Sequence, residues 1–183
     1  MIDQAGIRMA QGATIACERV GGMNDNMMKS HYHNYYELYF LESGERYHML
    51  QDDRYVMHPG ELILFSPYIL HRSYGDENIP FLRLVLYFHR DEIECQQLKD
   101  ALDSGNGMYR PDPRMWHILR QFLETLLYDQ DNSSELAKAY RHTVLNMLLF
   151  SIVFQVQRQN PARREDSYRI SQIISYIHSH YQD

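Results

Sequence analysis

His31-Tyr32-His33-Asn34-Tyr35-Tyr36-Glu37-Leu38-Tyr39-Phe40-Leu41 is dense in aromatic and β-favouring residues and reads as a strand. Alternate side chains of a strand face the same way. His31, His33 and Glu37 therefore share one face with Tyr35, Tyr39 and Leu41. Two imidazoles and a carboxylate turned into a barrel interior make the start of a metal site. Neutral imidazole with carboxylate suits Zn, Fe, Ni or Mn. His71, on a later strand beyond the Pro67 turn, is placed to complete the set as a fourth ligand. The same four groups also suit a metal-free polar pocket, bonded to a ligand or to one another.

Outward from this stretch the pattern stays one of short strands broken by turns. Thr14 to Val20 forms a strand ahead of Gly21 and Gly22. Gly44 marks a turn, and RYHML and RYVMH flank Gln51-Asp52-Asp53 as the arms of a hairpin. Pro59-Gly60 precedes ELILF, and ILHRSY and FLRLVLYF follow. Short strands at regular spacing predict an antiparallel barrel or sandwich and exclude a parallel α/β sheet.

The character changes after about residue 90. Met115, Leu119, Phe122, Leu123 and Leu126 recur at helical spacing over Arg114 to Tyr128. NSSEL then offers a cap, and Leu136, Tyr140, Val144, Met147, Leu148 and Ile152 follow at steps of three and four over Glu135 to Gln157. A short polar loop between the two segments predicts an antiparallel helix pair. Gln157 to Ser167 is polar and holds Pro161, a linker. Ile170, Ile173, Ile174, Ile177 and Tyr181 make one face of a further helix. The expected division is a barrel over 1–112, a helical segment over 113–157, a linker over 158–167 and a new helix over 168–183.

The chain has 183 residues, 44% of them hydrophobic, so it can build a core and is not disordered as a whole. Its 15 tyrosines suit strands and pocket walls. A net charge of −6 argues against a free-standing nucleic-acid binder. Cys17 and Cys95 alone give neither a disulfide framework nor a metal knuckle. With no signal-peptide pattern and no membrane-length apolar run, a cytoplasmic protein is expected.

His31-x-His33-x-x-x-Glu37, followed by Gly44, resembles the first cupin motif, and Gly60 to His71 resembles the second. The chain departs from the pattern at Asp25, at Ile69, at Gly75 and in the position of Pro67, while the four ligand positions survive. HYHNYYELYFLESG and YVMHPGELILFSPYILHRS more closely resemble effector-binding domains of AraC/XylS transcription regulators. YRISQIISYIHSHYQD is similar to the first helix of that family's paired helix-turn-helix domain. The resemblance implies a cupin-type barrel that binds a small effector, often a sugar or related metabolite, without catalysis. It implies helices that dimerise and a DNA-reading domain that follows. His31, His33, Glu37, Tyr39, His71 and Arg83 are the expected effector contacts, with a divalent metal as the one suggested cofactor. Arg83 has an equal alternative as a plain exposed arginine. Leu136, Tyr140, Val144, Leu148 and Ile152 are the expected dimer stripe. A metal-dependent cupin oxygenase or isomerase is the alternative function, and a sugar-binding module without regulation a third.

Overall fold

The structure, a computed structural model, describes residues 3–24, 26–27 and 29–159. Asp25, most of the expected linker and the expected helix over 168–183 lie outside the described residues. A short helix α1 (Gln4–Ala10) leads into β1 (Ile15–Gly22), β2 (Tyr36–Ser43), β3 (Arg46–Leu50), β4 (Asp53–Met57), β5 (Leu62–Phe65), β6 (His71–Tyr74) and β7 (Phe81–Phe88). Then come α2 (Gln96–Asp103), β8 (Gly107–Tyr109), α3 (Pro113–Asp129) and α4 (Glu135–Gln159).

The strands form two antiparallel sheets, ordered β1-β7-β2-β5-β8 and β4-β3-β6. His31 bridges to His71 at the free side of β6, and Met27 N–H donates to the Ser73 carbonyl, so this segment acts as a fourth strand of the smaller sheet. The chain passes from one sheet to the other between His31 and β2, β2 and β3, β4 and β5, β5 and β6, and β6 and β7. That is the double-sheet jelly roll of the cupin type. The β3–β4 hairpin turns where the sequence predicts, with Leu50 paired to Asp53 and Gln51 in the left-handed region.

The larger sheet is covered on both faces. Tyr36, Leu38 and Phe40 of β2, with Leu84, Leu86 and Phe88 of β7, pack outward against α2, α3 and α4. Glu37, Tyr39 and Leu41 face inward with Val85 and Tyr87. Each fully buried Leu or Phe contributes roughly 1.5–3 kcal/mol by leaving water. Phe40 stacks on Trp116 of α3 at 3.9 Å between ring centres. Asp112 caps α3 by accepting from Met115 N–H, with Pro113 in the first turn, and Ser134 caps α4 by accepting from Ala137 N–H.

The expected dimer stripe does not lie on one face. Val144, Leu148 and Ile152 are buried in the chain's own core, whereas Leu136 and Tyr140 are exposed. A helix turns by about 100° per residue, so steps of four drift by about 40° each and carry Leu136 and Ile152 about 160° apart. Among the described residues no helix is long and apolar enough to cross a membrane.

Candidate functional site

Main-chain pairing assembles the site. His31 and His71 exchange backbone hydrogen bonds of 2.9 and 3.0 Å, which sets their rings 4.4 Å apart. The β5–β6 turn is tied to the same place, with Tyr68 N–H donating to the His33 carbonyl at 2.8 Å. Residues 32–35 are not strand, so main-chain pairing with β6 and the β5–β6 turn, and not the expected side-chain alternation, brings His31 and His33 to Glu37. His33 is oriented locally: its ring lies flat on Tyr35 at 4.1 Å.

One candidate ligand atom from each of His31, His33, Glu37 and His71 lies within 4.8 Å of the others. Ligands about 2 Å from one ion are necessarily within about 4 Å of each other, so modest side-chain rotation closes the set. Glu37 Oε2 is 3.0 Å from His33 Nε2 and 3.3 Å from His71 Nε2. His33 Nδ1 lies 2.7 Å from the Tyr35 carbonyl, and His71 Nδ1 lies 2.8 Å from the Ile69 carbonyl. A carbonyl only accepts, so each Nδ1 carries the proton, and in the neutral ring Nε2 presents a lone pair. A lone pair facing a carboxylate is favourable only with a proton or a cation between them. His71 Nε2 is buried and makes no hydrogen bond of good geometry. Imidazoles that donate their second nitrogen to a carbonyl are the usual arrangement around a metal. The donor set thus fits a divalent cation.

Burial pushes the Glu37 carboxyl up, but the His33 and His71 imidazoles beside it outweigh that and hold it well below the ordinary range. Burial lowers His31, and the neighbouring His71 adds to this.

Tyr39 and Arg83 lie further along the same interior. Arg83 is 5% exposed, which rejects the exposed reading; its guanidinium lies over the Tyr39 ring at 5.2 Å and 3.5 Å from Asp3. Asp3 also accepts from the Tyr87 hydroxyl at 2.8 Å and caps α1 through Gly6 N–H, so α1 is anchored to the interior. Desolvation lowers the Arg83 pKa, but the charges of Tyr39, Tyr87, Glu37 and Asp3 raise it overall.

Asp3, Arg46, His48, Ser73 and Tyr87 are interior polar residues that the sequence reading missed. Arg46 and His48 alternate with Leu50 on β3, and that period of two was the available signal. Two open clefts beside Trp116 lie outside the sandwich, and their Arg19 and Arg110 are already paired with Glu42 and Glu61.

Residues 12–145, most of the chain, match the family described as AraC-like ligand binding domain. An uncharacterized HTH-type transcriptional regulator, YbfI of Bacillus subtilis (strain 168), is 47% identical over 38 residues, which are 21% of this chain and 14% of that protein. Similar solved structures include a cupin protein from Bacteroides fragilis, 13% identical with a TM-score of 0.41 over 45% of this chain and 72% of that one. A Cupin 2 conserved barrel domain protein from Salinispora arenicola is 15% identical with a TM-score of 0.38 over 43% of this chain and 66% of that one. With its jelly roll, its interior polar cluster and a match that runs from β1 into α4, the chain belongs to the family of AraC-like ligand binding domains.

Proposed function

We propose that this chain is the effector-sensing and dimerisation part of a cytoplasmic bacterial transcription regulator, with a sugar or related metabolite held between its sheets. One observation carries this reading: a polar cluster, buried at Glu37 and His71 and half-buried at His31 and His33, faces an interior walled by aromatic side chains, within a ligand-binding family. A regulator must bind its effector with different affinity in two states, and an interior site joined to packed helices suits that need. His31, His33, Glu37 and His71 would hold a divalent metal, Zn, Ni, Fe or Mn, which supplies a Lewis-acidic anchor for a ligand oxygen. The protein's own groups orient the effector, and no turnover is required.

The dimer forms through the outward face of α4. Leu136, Tyr140, Met147 and Phe154 are 81%, 52%, 52% and 58% exposed. With Thr143 and Phe150 they keep steps of four and three, which stay within about 40° of one line. Two copies bury this seam in an isologous contact. DNA is read by a helix-turn-helix domain, of the kind named for the Bacillus relative.

The complete four-residue ligand set favours a second reading, a metal-dependent cupin oxygenase or isomerase. Elemental analysis of protein purified without added metal, with thermal shift and turnover assays against a metabolite panel, separates the two. The sensor reading expects selective stabilisation by one metabolite class, lost in His33→Ala. Oxygen consumption or product formation overturns it.

A further inference from the structure

The two sheets are finished differently on their outer sides. Helices α2, α3 and α4 pack on the larger sheet, while the outward side chains of the smaller sheet keep contact with water. On β3 the buried Arg46, His48 and Leu50 alternate with the half-buried Tyr47 and Met49. Cross-strand partners share a face. Tyr47 is paired with Val56 and Tyr74, and Met49 with Arg54 and Arg72, so these six side chains make up the outer face. Leu70, just before β6, is 48% exposed and extends it.

The Arg54 guanidinium lies over the Tyr47 ring at 4.5 Å and that of Arg72 over the Tyr74 ring at 5.5 Å, with the two rings stacked at 5.3 Å. Aromatic faces, not acids, hold both cations in place. Among the described residues neither forms an ion pair, in contrast to Arg19, Arg110 and Arg120 near the larger sheet, which meet Glu42 or Glu61. Glu45 and Asp76 stand at the rim and accept from the Tyr47 hydroxyl at 2.8 and 3.0 Å. The chain carries a net charge of −6, so this face has the sign opposite to the rest of the molecule. Tyr, Met and Arg together, with no Lys, Asp or Glu between them, is the make-up of a protein-binding centre.

Charge selects the occupant. Two copies of this face across a two-fold axis would set guanidinium against guanidinium, which disfavours self-pairing. A nucleic-acid surface needs a broader run of positive charge than two arginines. Carboxylates match, because each can take two parallel hydrogen bonds from a guanidinium. Arg54 and Arg72 flank Met49 on either side, so their Cα atoms lie two strand spacings, about 10 Å, apart. On a helix, positions i and i+7 are about 10.5 Å apart, with i+3 or i+4 between them on the same side. We infer that the outer face of β4-β3-β6 docks an acidic amphipathic helix of another protein, with carboxylates seven residues apart on Arg54 and Arg72 and an apolar side chain between them on Met49. Docking here requires nothing of the interior site, so the sensor reading stands or falls separately.

The test pans a phage-displayed library of helical peptides, randomised along one face, against the full chain. Enriched peptides are expected to carry Asp or Glu at i and i+7 around an apolar residue. Synthetic copies should bind in fluorescence anisotropy and weaken as salt rises. The double variant Arg54→Gln, Arg72→Gln should lose at least about tenfold in affinity while keeping the wild-type melt. Panning against Arg72→Glu should exchange one acid of the enriched pair for Lys or Arg. Should either Arg72 variant fail to melt cooperatively, Arg54→Gln alone, at an exposed position of the edge strand, is expected to lose at least about threefold. Enriched peptides without the paired acids, or wild-type affinity in the variant that folds, overturn the inference. So does an absence of enrichment. Self-association that these same substitutions abolish, or duplex DNA that displaces the peptide from this face, overturns it in favour of a second copy or of nucleic acid.

Discussion

Glu37 is a buried carboxylate with one oxygen 3.0 and 3.3 Å from two histidine nitrogens, so its charge governs whether a cation can sit among them. Glu37→Gln keeps the shape and removes the charge. Metal retained through purification should fall at least about tenfold, measured by elemental analysis, with the cooperative melt preserved. Gly44 is a residue of the opposite kind, with no chemistry and no room. Its φ is +84°, and a Cβ there would lie 2.4 Å from the Pro80 carbonyl oxygen and 2.9 Å from Phe81 Cα. Because both obstacles are backbone, Gly44→Ala should lower the unfolding free energy by about 2 kcal/mol or more in urea titrations. The sequence marks Gly44 as a turn, but the close approach of the start of β7, at Pro80 and Phe81, is a tertiary fact that no local pattern carries. His48 escaped for a related reason: a lone histidine in a strand says nothing about what lies across the sandwich.

Among the elements, α4 has two faces with opposite expected behaviour. Leu148 is 0% exposed, so Leu148→Glu should unfold the domain, since an unpaired buried charge costs about 3–5 kcal/mol or more. Met147 is exposed on the proposed seam, so Met147→Glu should leave the melt within about 0.5 kcal/mol of wild type and yield monomers in light scattering. The periodicity of the sequence announces an amphipathic helix, but steps of four blur two stripes into one, and only packing tells them apart. The helices α1 and α2 went unread because each is short, and α2 turns only Leu98 and Leu102 inward. A clamp ties α4 to the segment after β7: His142 lies 2.9 Å from Glu92 through Nδ1 and 2.9 Å from Glu94 through Nε2. Hydrogen bonds to these carboxylates raise the His142 pKa above its ordinary value near 6.5. A raised folded-state pKa gives stability that is complete below about pH 6.5 and lost as pH climbs through the folded value. The stability gap between wild type and His142→Gln should therefore shrink from pH 6 to pH 9, by no more than about 1 kcal/mol for a partly exposed pair.

For the molecule as a whole, the barrel, the helix pair and the four-residue cluster were legible because strand alternation, helical period and turn residues are local signals. The interior beyond that cluster was not, because it joins residues from both sheets and from α1. The double covering of the larger sheet has a consequence for how the gene tolerates change. In β3, buried and half-buried positions alternate, so a library of all single substitutions should show sensitive and permissive sites in turn. In β2, Tyr36 to Leu41 are six consecutive buried positions with no side chain left to water. A fitness map of the chain should therefore show an unbroken block of six intolerant codons there, where an ordinary surface sheet would show a comb.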